Sequence, residues 1–257
     1  GPGLLGSLMV GAGYAKGIAL ALNIPLITVH HMQAHILAHF IEDPKPDFPF
    51  LCLTVSGGHT QIVRVDSHLE MEIIGKTNDD AAGEAFDKCA KMLGLPYPGG
   101  PLIDKTAANG NPNAFTFAEP KIQGLDFSFS GFKTSVLYFL QDHLKQDPNF
   151  VEQHLPDLCA SIQHSIVEIL LKKVKRASRE TGIKQIAIAG GVSANSYLRK
   201  QLFALGEKEN WVVFIPKFEY CTDNAAMIAI TGYYKFLNNQ FADQTAVPLA
   251  RMSGLQS

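Results

Sequence analysis

The run Phe50-Leu51-Cys52-Leu53-Thr54-Val55-Ser56-Gly57-Gly58-His59-Thr60-Gln61-Ile62-Val63-Arg64-Val65 decides the architecture. Its first six residues are an almost unbroken apolar stretch, the mark of a strand covered on both faces. Ser56 to His59 reads as a turn, and Thr60 to Val65 returns with period-two alternation. Leu69 to Gly75 supplies a third strand. A second apolar stretch, Gln185 to Ala189, again ends in a glycine pair, Gly190-Gly191, and leads into a helix from Ser193 to Leu205. Trp211 to Ile215 reads as another strand and Asp223 to Leu237 as the last long helix. This order predicts an α/β chain whose sheet centres on the 50–55 and 185–189 strands.

Working outward, a helix opens at Asp79-Asp80, with acids placed where a helix N-terminus favours them, and runs to Leu93. Residues 94–131 are loop-rich apart from a short helix, Leu102 to Ala108; long helices follow at about Lys133–Leu144 and Leu158–Thr181. Towards the N-terminus, Leu4 to Leu22 predicts a helix rich in small residues. Asn23-Ile24-Pro25 ends it, because proline disfavours helix at the preceding residue. Leu26 to Val29 reads as a short strand and Met32 to Ile41 as a helix. Pro44, Pro46 and Pro49, among the acids Glu42, Asp43 and Asp47, read as a linker. The expected division is residues 1–48, then 49–240 with an insertion at about 94–181, then a tail at 241–257.

Over 257 residues the chain is 46% hydrophobic and 18% charged with a formal charge of −2, the composition of a soluble α/β protein. A charge so near zero offers no general attraction for nucleic acid. RNA contact would need a local patch, for which Lys172, Lys173, Lys175, Arg176 and Arg179 are candidates; a solvated helix face is the alternative. The four cysteines, Cys52, Cys89, Cys159 and Cys221, are scattered, which fits a reducing cytoplasm and argues against a thiolate metal site. Gly6, Gly11, Gly13, Lys16 and Gly17 interrupt the apolar stretch 4–22, so no membrane span is expected, nor a signal peptide.

The residues able to do chemistry are few. His31 and His35, four apart on a helix, share a face and can hold one ion; equally they can be half-buried packing histidines. The hydrolytic zinc helix needs His-Glu-x-x-His, and Met32 stands where that Glu belongs, which counts against a metallopeptidase. Each Gly-Gly turn can bring backbone N–H groups to a phosphate or be a tight connection only. Asp80, Glu84 and Asp87 form an acidic stripe: either a solvated face with Glu84–Lys88 and Asp87–Lys91 pairs, or a site where Asp87 holds ribose hydroxyls. Tyr97-Pro98-Gly99-Gly100-Pro101 with Asp104 is a stiff turn before a helix. Leu125 to Lys133 is an aromatic–serine segment that suits a hydrophobic plug. Asp223 reads as the N-cap of the last helix. As a third ligand it would complete two imidazoles and a carboxylate, a set suited to Fe(II) or Zn(II).

Seven motifs in order resemble those of the bacterial tRNA N6-adenosine threonylcarbamoyltransferase family (TsaD, formerly called glycoproteases). They are His30-His31-Met32-x-x-His35, Ser56-Gly57-Gly58-His59-Thr60-Gln61, Asp79 to Lys88, Tyr97-Pro98-Gly99-Gly100-Pro101, Asp126-Phe127-Ser128-Phe129-Ser130-Gly131, Gly190-Gly191-Val192-Ser193-Ala194-Asn195 and Cys221-Thr222-Asp223-Asn224. The resemblance implies an actin-like ATPase (ribonuclease H-like) fold of two lobes, with residues 1–48 a remnant of the first lobe. It implies transfer of threonylcarbamoyl from threonylcarbamoyl-adenylate to N6 of the adenosine 3′ of the anticodon, in tRNAs reading codons that begin with A. It implies that His31, His35 and Asp223 hold one divalent metal ion, Fe(II) or Zn(II). Thr54, Val55, Ser56, Gly57, Gly58, Asp87, Gly100, Asp104 and Asn195 would line the site of the adenylate, with ATP or ADP as further nucleotides. The partners implied are tRNA, a TsaB-like paralogous subunit and a TsaE-like P-loop ATPase, in the cytoplasm, with the 4–22 helix as a candidate docking face. Family members begin with a strand and a Glu-Thr-Ser-Cys-Asp-Glu-Thr loop. On that ground the chain is expected to be shortened at its N-terminus and inactive unaided. Rival readings are a sugar kinase or chaperone-like ATPase of the same fold, which needs no His/His/Asp triad, and a scaffold subunit, which should have lost it.

Overall fold

The apolar run at 50–55 becomes the central strand, β1 (Phe50–Val55), buried at every position. The computed structural model describes residues 1–120, 122–252 and 254–255. With β2 (Thr60–Val65), β3 (Met71–Lys76), β4 (Gln185–Ala189) and β5 (Val212–Phe214), β1 forms one sheet in the order β3-β2-β1-β4-β5. β1 pairs antiparallel with β2 and parallel with β4. The two strands expected at the centre are therefore neighbours, and Thr54 sits opposite Ala189, so the turns that follow them emerge side by side.

Alternation along β1 explains its burial on both sides. Leu51, Leu53 and Val55 join a core made with α3 (Ala82–Met92), α4 (Gly99–Ala107), α5 (Ser130–Gln146), α6 (Phe150–Thr181) and α7 (Ser196–Glu209). Phe50 and Cys52 face the other way, against Met32, Ile36 and Leu37 of α2 (His31–Leu37) and Ile230 and Tyr234 of α9 (Ala225–Leu237), which follows the single turn α8 (Phe218–Cys221). Phe127, Phe129 and Phe132 enter the first core, so the aromatic–serine segment packs as a plug.

Several expectations are corrected. Residues 26–29 form no strand; Leu26 makes a single bridge, to Ala242, and lacks the neighbouring pairs a ladder needs. Helix α3 starts at Ala82, because Asp79 and Asp80 are held elsewhere. Asp79 accepts from Ser128 Oγ at 2.5 Å and Phe129 N at 2.8 Å, while Asp80 pairs with Lys88 and Lys133. Glu84 pairs with Lys88 as expected, but Asp87 turns to backbone amides instead of Lys91. The glycines do not break the first helix: α1 (Leu5–Leu22) is continuous over 18 residues with mean hydropathy 1.4, long and apolar enough by length and composition to cross a membrane. A helical glycine costs about 1 kcal/mol yet keeps its N–H in the ladder. The basic stripe of α6 is taken up locally. Lys172 pairs with Glu119, Lys175 and Arg179 with Glu209, Arg176 with Glu180, and Lys173 donates to the carbonyls of Ile122 and Gly124.

Candidate metal and nucleotide site

Helix α2 buries Met32 and Ile36 against the sheet, which leaves His31 and His35, one turn apart, facing the start of α9. That start is capped by Asn224, whose side chain accepts from Met227 N at 2.8 Å. Asp223 is thus not the N-cap that its position suggested. Its side chain is 78% exposed, and Oδ1 lies 3.2 Å from Nε2 of both His31 and His35. The candidate ligand atoms of these three residues lie within 4.8 Å of one another. Burial pushes His35 down to about 4, so near neutral pH its ring is uncharged and its contact with Asp223 is not an ion pair. Uncharged imidazole is the form that binds metal. Two nitrogens and one carboxylate oxygen this close suit a divalent ion such as Fe(II) or Zn(II) and leave positions open.

The triad opens onto a cavity of about 1340 Å³ at the C-terminal ends of β1 and β4, where open α/β sheets bind ligands. Ser56, Gly57 and Gly58 form one wall, and Gly191 and Asn195 line it after β4. An added Cβ on Gly57 or Gly58 would meet nothing within 4 Å, so both backbones face open space. The supporting glycines differ. A Cβ on Gly83 would sit 2.5 Å from the Ser56 carbonyl oxygen, and Gly190, at φ 89°, would place one 2.5 Å from that of Val55. The first turn rests on α3 at Gly83; the second crosses the end of β1 at Gly190.

Asp87, Gly100, Asp104 and Asn195 line the same cavity. Asp87 Oδ1 accepts from Gly99 N at 2.8 Å and Gly100 N at 3.2 Å, pinning the start of α4. Asp104 accepts from Ser196 N at 3.0 Å and from Ser196 Oγ at 2.8 Å; Asn195 caps α7 through Leu198 N at 2.8 Å. Thr54 and Val55 do not reach the wall, because both are fully buried, the last two residues of the strand before the turn. The other expected residues, His31, His35, Ser56, Gly57, Gly58 and Asp223, all line it.

Two neighbours escaped the sequence reading. His59 lines the cavity beside the triad, and burial and the charge of His31 lower its pKa; it directly follows the glycine pair, but sequence distance from His31 hid the proximity. Gln163, buried in α6, donates to Asp104 Oδ1 at 2.7 Å and Asn195 Oδ1 at 3.2 Å. Its one signal is an amide set among apolar residues of a helix.

The chain and its fold have known counterparts. Residues 1–230 match the family model described as TsaD, tRNA N6-adenosine threonylcarbamoyltransferase. A protein of that name from Christiangramia forsetii is 62% identical over 254 residues, covering 98% of this chain and 75% of the relative. One from Cytophaga hutchinsonii is 58% identical over 256 residues, covering 99% of this chain and 75% of the relative. Among solved structures, full-length HypF in a phosphate- and nucleotide-bound form superposes with a TM-score of 0.65 at 14% identity, over 88% of this chain and 46% of that one. The shared architecture is the α/β actin-like ATPase fold. The chain belongs to the tRNA N6-adenosine threonylcarbamoyltransferase family.

Proposed function

We propose that the protein carrying this chain is an acyltransferase that moves threonylcarbamoyl from threonylcarbamoyl-adenylate to N6 of the adenosine 3′ of the anticodon, in tRNAs reading codons that begin with A. One observation carries this reading: the His31–His35–Asp223 cluster and both glycine turns border a single cavity. A kinase of the same fold has no use for the triad. A peptidase would need a carboxylate where Met32 lies buried in the core.

In the reaction N6 attacks the carbamoyl carbon, the carbon–oxygen bond to phosphate breaks, AMP leaves and N6 loses a proton. His31, His35 and Asp223 would hold a divalent ion, which when bound would supply Lewis acidity to the carbamoyl group. The Ser56 amide closes the turn by donating to the His59 carbonyl at 2.8 Å, which leaves Gly57 and Gly58 facing the cavity, where they approach the adenylate phosphate, while Asp87, Gly100, Asp104 and Asn195 hold its ribose and base. The exocyclic amine is a weak nucleophile, so alignment of the two substrates provides much of the rate.

A TsaB-like subunit docks on α1, whose Met9, Val10 and Tyr14 are exposed, and a TsaE-like ATPase acts with the pair in the cytoplasm. Residues 1–48 form part of the first lobe, 49–240 the second with its insertion at about 94–181, and 241–257 a tail. The test supplies the intact protein with preformed adenylate, unmodified tRNA, metal and the partner proteins, and digests the tRNA to nucleosides. Mass spectrometry should detect N6-threonylcarbamoyladenosine; its absence would reject the reading.

A further inference from the structure

Helix α4 carries two rows of residues along the cavity. Gly100 and Asp104, one turn apart, form the inner row, assigned above to the nucleotide. Tyr97, just ahead of the helix, Pro101 and Lys105 follow at intervals of four and form an outer row. All three are exposed and all three line the same cavity, so the row forms its mouth. The mount is rigid, because Asp87 holds the first two amides of α4.

The chemistry of the row is specific. Tyr97 is 85% exposed and offers an open aromatic face. Lys105 has no ion-pair partner among the described residues, whereas Lys88 and Lys133 are both taken by Asp80. An aromatic face beside a cation is the pairing that holds unpaired bases and their backbone. The cavity, at about 1340 Å³, exceeds the roughly 300–1,000 Å³ of a small-molecule site, so a bound nucleotide leaves room at the mouth. The basic stripe of α6, the other candidate for RNA, is spent in local pairs.

We propose that the Tyr97–Pro101–Lys105 face docks a single-stranded RNA loop, with one base stacked on Tyr97 and a phosphate at Lys105. The proposal rests on the transfer reaction proposed above. An amine on a base is reachable only where that base is unpaired, and the stack brings such a loop to the mouth of the donor cavity.

The test uses the intact protein and two probes. One is a short RNA hairpin with an unpaired adenosine in its loop, read by fluorescence anisotropy over a range of salt; the other is AMP, read by calorimetry. Tyr97→Ala should raise the hairpin Kd about tenfold and Tyr97→Phe less than about twofold, since only the first removes the stacking ring. Lys105→Gln should weaken hairpin binding and reduce the slope of log K against log salt by about one. AMP affinity and melting temperature should hold in all three variants. Unchanged hairpin binding in Tyr97→Ala and Lys105→Gln would overturn the proposal and leave the face to a protein contact. A parallel loss of AMP would also overturn it, assigning Tyr97 to the donor nucleotide. A wild-type protein that binds AMP but no hairpin rejects this surface alone; one that binds neither rejects the proposed function as well.

Discussion

His35 and His39 are buried histidines whose imidazoles burial pushes down to about 4. The unfolded chain takes up their protons near 6.5, while the folded chain does so only near 4. Their contribution to stability is therefore full above 6.5 and is lost as pH falls from 6.5 towards 4. Each histidine adds a slope of about 1.4 kcal/mol per pH unit in that window. His39, which donates from Nε2 to the Ile188 carbonyl at 2.9 Å, is the cleaner probe because it stands outside the His31–His35–Asp223 cluster. Urea unfolding of metal-free protein at pH 7 and pH 5 should show a large loss, and His39→Gln should make that loss smaller; an equal loss would contradict the assignment. Asp87 permits a separate test. Asp87→Ala removes the acceptor for two amides and should lower stability by about 1–3 kcal/mol. Asp87→Asn keeps an acceptor oxygen, so its melting temperature should hold while its AMP affinity, measured by calorimetry, falls about tenfold. Unchanged AMP binding would remove Asp87 from the ribose.

The two glycine turns make a prediction at the level of elements. Gly57 and Gly58 look onto open space, so Gly57→Ala and Gly58→Ala should fold normally and lose nucleotide affinity. Gly83 and Gly190 have backbone oxygens where a Cβ would go, and Gly190 also has a left-handed φ, so Gly83→Ala and Gly190→Ala should cost about 1–3 kcal/mol of stability. Thermal unfolding and AMP titration of the four variants separate the groups, and a stable Gly190→Ala would contradict the packing. These elements also mark what was legible in the sequence. Strands 50–55, 60–65 and 185–189 were readable because burial on two faces or one leaves a plain pattern. The starts of α3 and α9 were not: Ser128 and Phe129, outside the helix, hold Asp79, and Asn224, one residue after Asp223, takes the cap bond from Met227 N. The false strand at 26–29 has the right composition, but only topology could show that it lacks neighbours.

Across the whole molecule, the sheet order brings together residues far apart in the chain. β1 and β4 lie side by side although more than a hundred residues separate them, and α2 and α9 meet on one face of their sheet. His31, His35 and Asp223 could be nominated from their chemistry and from family resemblance, but their meeting follows from this packing. Gln163 and His59 went unread for the same reason: each becomes informative only beside residues distant in sequence. Because the triad sits at the edge of the core, its loss should disable chemistry without unfolding the chain; Asp223 in particular is exposed and caps nothing. The most direct test is the single-turnover rate of threonylcarbamoyl transfer from preformed adenylate to tRNA. It compares wild type with Asp223→Asn, with metal content and melting temperature measured on the same samples. The account predicts little or no bound metal, a nearly unchanged melting temperature and a rate at least about a hundredfold lower. A folded, metal-free Asp223→Asn protein that transfers at the wild-type rate would contradict it.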